Sequence, residues 1–201
     1  HTGQKQSGRA LPLRLAGGSS LTSAQKGVRK RRRGNVHGKG GAMSFEAAKA
    51  HLEQYGLADR VIVFDQSSAT VAMAAQAAGT SEAEIAKTLS FLVDDAAVLI
   101  VAAGDAKVDS SKFKAKFHIK AKMVPTDRVE ELVGHAPGGV CPFAVRIGVT
   151  VYLDESLRRF EYVYPACGSS NSAVRLTPAE LERASGCVEW VDVCKLPEMA
   201  R

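Results

Sequence analysis

The chain has 201 residues, 45% of them apolar, enough for one ordinary buried core and suited to a single domain with or without a tail. Its net charge of +6 is unevenly placed. Ten basic residues and no Asp or Glu fall before Met43, so the remaining 17 basic residues face 21 acidic ones, a net of −4. The pI of 9.2 thus belongs to the first 42 residues, and it excludes an argument from global charge to nucleic-acid binding by the rest.

Residues 1–42 are rich in Gly, Ser, Lys and Arg and carry neither a helical nor a strand period. Such a segment buries too little apolar surface to offset its ordering entropy, so disorder is predicted. The run Arg29-Lys30-Arg31-Arg32-Arg33 reads as a nucleic-acid arm or a nuclear address. A third reading is that the segment is not native. Codons for Lys39-Gly40-Gly41-Ala42-Met43 can spell AAGGAGG just ahead of an ATG, the look of a bacterial ribosome-binding site. That predicts translation from Met43 and a domain spanning residues 43–201.

Ser44 can cap a helix over about 45–55, with Phe45, Ala48, Leu52 and Tyr55 on one face and Gly56 as its stop. Val61–Phe64 reads as a strand. Val71–Ala78 reads as a helix closed by Gly79, and Ser81 with Glu84 as a capping box that opens a short helix toward Ala86. Residues 88–93 and 97–102 form a hairpin about Asp94-Asp95. Helices follow at 110–117 and 126–133, then strands at 149–153, 160–164 and 174–176. Thr177-Pro178-Ala179-Glu180 opens a helix reaching about Ala184, and a strand over 188–193 ends the series. This order suits a mixed α/β fold, a mixed sheet with helices packed around it.

Cys141, Cys167, Cys187 and Cys194 show no CxxC spacing and read as free thiols in a reducing compartment. The longest apolar run falls far short of the ~20 residues of a membrane span, and Pro12 and Arg14 break the only signal-like stretch. No P-loop or dinucleotide fingerprint is present, so no cofactor is expected. His51, His118 and His135 lack ligand spacing, so no metal site is expected either.

Three segments could carry chemistry. Lys87 sits in the apolar Ile85-Ala86-Lys87-Thr88-Leu89, at an expected helix-to-strand junction. A desolvated ammonium there would attract an anion or a carbonyl oxygen, although a lysine snorkelling from a half-buried strand reads the same. The stretch from Gly134 to Phe143 contains Pro137-Gly138-Gly139, turn chemistry that frees backbone N–H groups for a ligand. An ordinary surface loop fits equally. Cys141 within it has no His-Asn or Asp set to make it a nucleophile. Cys167-Gly168-Ser169-Ser170-Asn171-Ser172-Ala173 could offer donors to a substrate, or could satisfy its own backbone. Carboxylates such as Asp105, Asp109, Asp154 and Glu155 read as caps. Lys107, Lys112, Lys114, Lys116, Lys120 and Lys122 form either a phosphate-facing stripe or a solvated face.

Taken in order, Ala86-Lys87-Thr88-Leu89, Gly104-Asp105 with Val108-Asp109, Gly138-Gly139-Val140-Cys141-Pro142-Phe143, Tyr152-Leu153-Asp154-Glu155-Ser156-Leu157 and Gly168-Ser169 resemble the motif series of the YbaK-like aminoacyl-tRNA deacylases. The same domain is the editing insertion of bacterial prolyl-tRNA synthetases. The resemblance spans about Phe64 to Val193 and implies a twisted mixed sheet or partial barrel surrounded by helices. It implies a free-standing, cytoplasmic, trans-editing hydrolase that deacylates tRNA mischarged with a small amino acid such as Ala, Cys or Ser. It further implies Lys87, Gly138 and Gly139 as catalytic, with the ribose hydroxyl of the tRNA assisting. Thr70, Val140, Cys141, Pro142, Asp154, Gly168 and Ser169 fall on substrate-binding positions. The implied partners are the aminoacyl-tRNA 3′ end and a synthetase, without membrane, metal or cofactor. The alternative is a catalytically weak module that binds a tRNA end or a synthetase.

Overall fold

Helix α1 (Lys39–Glu53) buries Ala48 and Leu52 completely, the centre of the apolar face expected from the sequence, while Phe45 and Tyr55 pack half-buried at its edges. The computed structural model describes residues 39–198. The basic run Arg29–Arg33 and the disorder expected for 1–38 lie outside the described residues, whereas 39–42, expected to be disordered, belong to α1. Gly56, at φ +69, takes the chain out of the helix, and the Leu57 N–H bonds back to the Leu52 carbonyl.

Strand β1 (Val61–Val63) and helix α2 (Val71–Ala78) follow. Thr70 caps α2 through a hydroxyl that accepts from the Met73 N–H, and Gly79 ends it at φ +68. At Ser81 the structure departs from expectation. The Glu84 carboxylate gathers the Thr80 and Ser81 hydroxyls and the Ser81 N–H, but the turn is one 3₁₀ unit, Glu82–Glu84. Strand β2 (Ile85–Val93) starts immediately after it. Lys87 is therefore the third residue of a strand, not a junction residue.

Strand β2 pairs antiparallel with β3 (Ala96–Ala103) across Asp94 (φ 50) and Asp95 (φ 63). Two consecutive left-handed residues make a primed hairpin turn, whose twist matches that of the strands. Residues Leu99–Ala103 of β3 are fully buried without alternation, as a strand covered on both faces must be.

Beyond β4 (Lys107–Val108) come α3 (Ser110–Phe117), a 3₁₀ turn at Thr126–Arg128 and α4 (Val129–Val133), so the helix expected over 126–133 is split. Strand β5 (Thr150–Asp154) ends where the Asp154 carboxylate caps a 3₁₀ turn, Glu155–Arg159. That turn displaces the strand expected at 160–164 and leaves only β6 (Tyr164–Pro165). Strand β7 (Ser172–Val174) and helix α5 (Pro178–Ser185) come next, α5 closed at its start by the Thr177–Glu180 capping box. The strand expected over 188–193 is shortened to β8 (Glu189–Val191), and a further strand, β9 (Cys194–Lys195), follows beyond it.

The main sheet has the order β6-β2-β3-β5-β8, antiparallel only between β2 and β3. Two small ladders, β1-β7 and β4-β9, flank it. This is the mixed α/β class with the curled, partial-barrel sheet that the sequence led us to expect.

Candidate active site

A cavity of about 350 Å³ opens between α2, strand β2 and the Gly138 turn. Thr70, Lys87, Gly138 and Val140 line it, joined by the apolar Val71, Ile85, Leu89 and Met123. Four of the predicted site residues thus meet from segments up to 70 positions apart.

The Lys87 ammonium does not snorkel to water. It donates to the carbonyls of Gly104, at 3.0 Å, and Ala106. Burial lowers its pKa below the ordinary lysine value. Nearby Cys194 and Asp105 push back upward, and Lys107 adds to the lowering. Two of its three donors have acceptors among the described residues, leaving one for an incoming group.

The Gly138 turn is built by its sequence. The Gly139 N–H donates to the Ala136 carbonyl at 3.0 Å, with Pro137 and Gly138 (φ +88) at the centre of the turn. Pro before a left-handed Gly is the pattern of a type II turn. The Gly139 N–H is thus engaged within the turn itself. The N–H groups of Gly138 and Val140 have no acceptor among the described residues, and both residues line the cavity. Gly139 serves by close approach. A Cβ there would lie 2.8 Å from both the N and the Cα of Ser169.

Gly168 and Ser169 stand behind this turn. Gly168 has φ +76, and a Cβ would meet the Ser44 carbonyl at 2.3 Å. The Ser169 hydroxyl bonds to the Asn171 side chain (2.9 Å) and the Ser172 hydroxyl (2.6 Å). Ser172, from the same candidate segment, lines the cavity in its place.

Cys141 and Pro142 are buried beneath the loop and outside the cavity lining. Burial pushes the Cys141 thiol far up, with the Phe143 carbonyl 3.7 Å from its sulfur. His135 is fully buried beside it, its Nε2 2.8 Å from the Phe143 carbonyl oxygen.

Asp154 is 1% exposed and lies outside the cavity lining; its two oxygens accept from the Ser156 and Val193 N–H groups. Of the lysine cluster, Lys112 and Lys116 pair with Asp192 and Glu189, which consumes part of the expected stripe. Asp109 caps α3 as expected, whereas Asp105 pairs with Arg159. Tyr164 and Ala166 also line the cavity and were missed. They belong to short, paired segments without a motif.

A second cavity of about 420 Å³ lies on the opposite face of α2, against Phe64, Met73 and Gln76, and holds none of the predicted residues. Among the described residues no three His, Cys, Asp or Glu are gathered as a metal ion would require, and no helix is long and apolar enough to cross a membrane.

The aminoacyl-tRNA editing domain family matches residues 65–184, which include every predicted site residue. The uncharacterized protein YwhH of Bacillus subtilis (strain 168) is 49% identical over 154 residues, 76% of this chain and 98% of that protein. A solved structure described as "a putative trans-editing enzyme for prolyl tRNA synthetase" superposes with a TM-score of 0.69 at 29% identity, covering 76% of this chain and 97% of that one. The hypothetical protein APE2540 superposes at 0.62 with 31% identity, over 68% of this chain and 91% of that one. The chain belongs to the YbaK-like aminoacyl-tRNA editing domain family.

Proposed function

We propose that this protein removes a wrongly attached small amino acid, such as Ala, Cys or Ser, from the 3′ end of a tRNA by hydrolysing the ester. The observation that carries the reading is the meeting of Lys87 with Gly138 and Val140 in one cavity wall. The remaining N–H of Lys87 and the unengaged backbone N–H groups offer donors to the ester carbonyl, where negative charge develops as water adds. Collapse of that adduct breaks the carbon–oxygen bond to the ribose. The ribose oxygen takes up the proton, and the vicinal ribose hydroxyl relays it. No protein nucleophile is invoked, which agrees with the burial of Cys141.

Selection is by size. Val71, Ala74, Val140 and Ala173 make a largely apolar wall, and one extra methylene against such a wall is worth ~1–3 kcal/mol. Action in trans, alongside a synthetase, is supported by the likeness to the solved structure described as "a putative trans-editing enzyme for prolyl tRNA synthetase", almost all of whose chain is matched; the cytoplasm is the compartment that this reading requires.

The test is a panel of tRNAs charged with Ala, Cys, Ser, Thr and Pro. Lys87-dependent loss of one or a few esters supports the proposal. Stable esters with a folded, tRNA-binding protein transfer the weight to a binding module.

A further inference from the structure

Both acceptors of the Lys87 ammonium lie on one bend, the carbonyls of Gly104 and Ala106, so whatever holds that bend also aims the lysine. Four ties hold it. The Ala103 N–H donates to the Ser156 hydroxyl at 3.1 Å. The Gly104 N–H donates to the Ala83 carbonyl at 3.3 Å, in a space so tight that a Cβ on Gly104 would fall 1.8 Å from the Glu82 carbonyl oxygen. The Ala106 N–H closes the bend onto the Ala103 carbonyl. The fourth tie is an ion pair. Arg159 grips both oxygens of Asp105, from NH1 at 3.1 Å and NH2 at 2.5 Å. Its Nε donates at 2.9 Å to the Ser156 carbonyl, on the same 3₁₀ turn, and its guanidinium lies 4.7 Å from the centre of the Phe160 ring.

We propose that Arg159 is a positioning residue for Lys87, fixing through its two-pronged hold on Asp105 the carbonyl pair that orients the ammonium and the charge that surrounds it. The catalytic sense of this inference rests on the reading of Lys87 as the group acting on the ester. A guanidinium fork suits the task because its planar geometry sets the angle of the carboxylate as well as its distance. The arrangement also rations charge. Asp105 sits next to the two carbonyls, and an unshielded carboxylate there would compete with them for the ammonium. Paired with Arg159, whose hydrogen bond is the chief cause holding the Asp105 carboxyl below its ordinary pKa, it stays ionised but occupied. The other ionisable groups facing Lys87 are Cys194 on β9 and Lys107 on β4, and neither contacts the bend through Arg159.

The two partners of the clamp therefore act on Lys87 with opposite signs. Arg159→Ala frees the Asp105 carboxylate to attract the ammonium and raises the lysine's proton affinity. Asp105→Asn removes that attraction and leaves the Arg159 cation in place, lowering it. A merely structural role would loosen the bend in both variants, expose the lysine and raise its proton affinity in both.

The experiment is an NMR pH titration of Lys87, using lysine labelled at Nζ and Cε. Its resonance is assigned by its disappearance in Lys87→Arg, and each variant is checked for folding by circular dichroism. Upward movement in Arg159→Ala with downward movement in the near-isosteric Asp105→Asn supports the clamp. No movement in either, or upward movement in both, overturns it. The NMR result stands whether or not the protein hydrolyses esters, so it is separable from the proposed activity, which falls if the wild type leaves every charged tRNA intact. Where the wild type is active, Arg159→Ala should lower kcat about ten-fold with little change in KM, and Arg159→Lys should restore part of it.

Discussion

The Lys87 Nζ donates to the Gly104 carbonyl at 3.0 Å, so a cation in the cavity wall is held by the backbone of the bend that follows the neighbouring strand. Lys87→Ala should leave the fold intact, because the removed group bonds to carbonyls at a bend that other ties keep in place. Deacylation should fall at least ~100-fold, the scale seen when a charge-stabilising donor is removed. Thermal unfolding together with single-turnover hydrolysis of a charged tRNA checks both halves. Full activity in the folded variant would place the chemistry elsewhere.

The lowered pKa of Lys87 sets an alkaline limit on activity. If the ammonium is the working form, the Lys87-dependent rate should decline with rising pH before the ordinary lysine value of 10.5 is reached. Subtracting the Lys87→Ala rate at each pH removes spontaneous hydrolysis of the ester. Stability runs the other way. Between the lowered pKa and the unfolded value the unfolded chain keeps a proton that the native lysine has released, so native stability should rise with pH across that window.

His135 makes the matching prediction on the acid side. Burial lowers its pKa, and its Nδ1 is buried without a hydrogen-bond partner among the described residues. Below the ordinary value of 6.5 the unfolded chain takes up a proton that native His135 resists, so stability should fall as pH drops through 6.5 toward the folded pKa. Urea unfolding midpoints from pH 7.5 to pH 4.5 measure this. His135→Gln, which keeps a donor for the Phe143 carbonyl but cannot titrate, should flatten the slope.

The two adjacent glycines should separate on substitution. Gly139→Ala puts a Cβ 2.8 Å from the Ser169 backbone, and with no flexible side chain to yield, about 1–3 kcal/mol of stability should be lost along with the turn. At Gly138 the nearest atoms are the Cβ of Ala69, 3.4 Å away, and of Ser170, 3.5 Å away. There Gly138→Ala should cost only the ~1–2 kcal/mol of a left-handed residue. Melting curves rank the pair, and the opposite order would mean the loops are not packed as described.

Cys141 should be silent. Its thiol is fully buried with the pKa pushed far up, so it should resist a thiol reagent in the native protein at pH 8. The half-buried Cys187 should react first. Cys141→Ala should keep kcat while losing about 1 kcal/mol of stability. A folded, inactive Cys141→Ala would contradict hydrolysis without a protein nucleophile.

Local chemistry made much of this legible in sequence. The Thr177–Glu180 capping box, the Asp94-Asp95 turn and the glycine stops at Gly56 and Gly79 each fix a boundary through backbone geometry alone, and each stands in the structure. The Pro137-Gly138 turn was legible for the same reason. What escaped depends on partners distant in the chain. Nothing near Asp105 announces that Arg159 will hold it, and Asp154 reads alike as a pocket wall or a cap until Val193 is seen donating to it. Tyr164 belongs to a strand two residues long, set by pairing rather than by a period. Cys141 lies buried outside the cavity lining, and a motif position says nothing of whether a side chain points to a ligand or into the core.

The Ser44 hydroxyl reaches the Gly168 carbonyl across 124 residues, and that bond has a consequence for how the molecule comes into being. The cavity takes its walls from Thr70, Lys87, Gly138 and Ser172, and α1 rests on the loop that supports the last of them. During synthesis the central hairpin of β2 and β3 can form early, from neighbours in sequence. The chamber must wait until nearly the whole domain has left the ribosome, when the Gly168 loop can meet a helix made long before it. Assembly of such non-local contacts is slow relative to local turns, so a nascent chain should gain its secondary structure well before it can touch a tRNA.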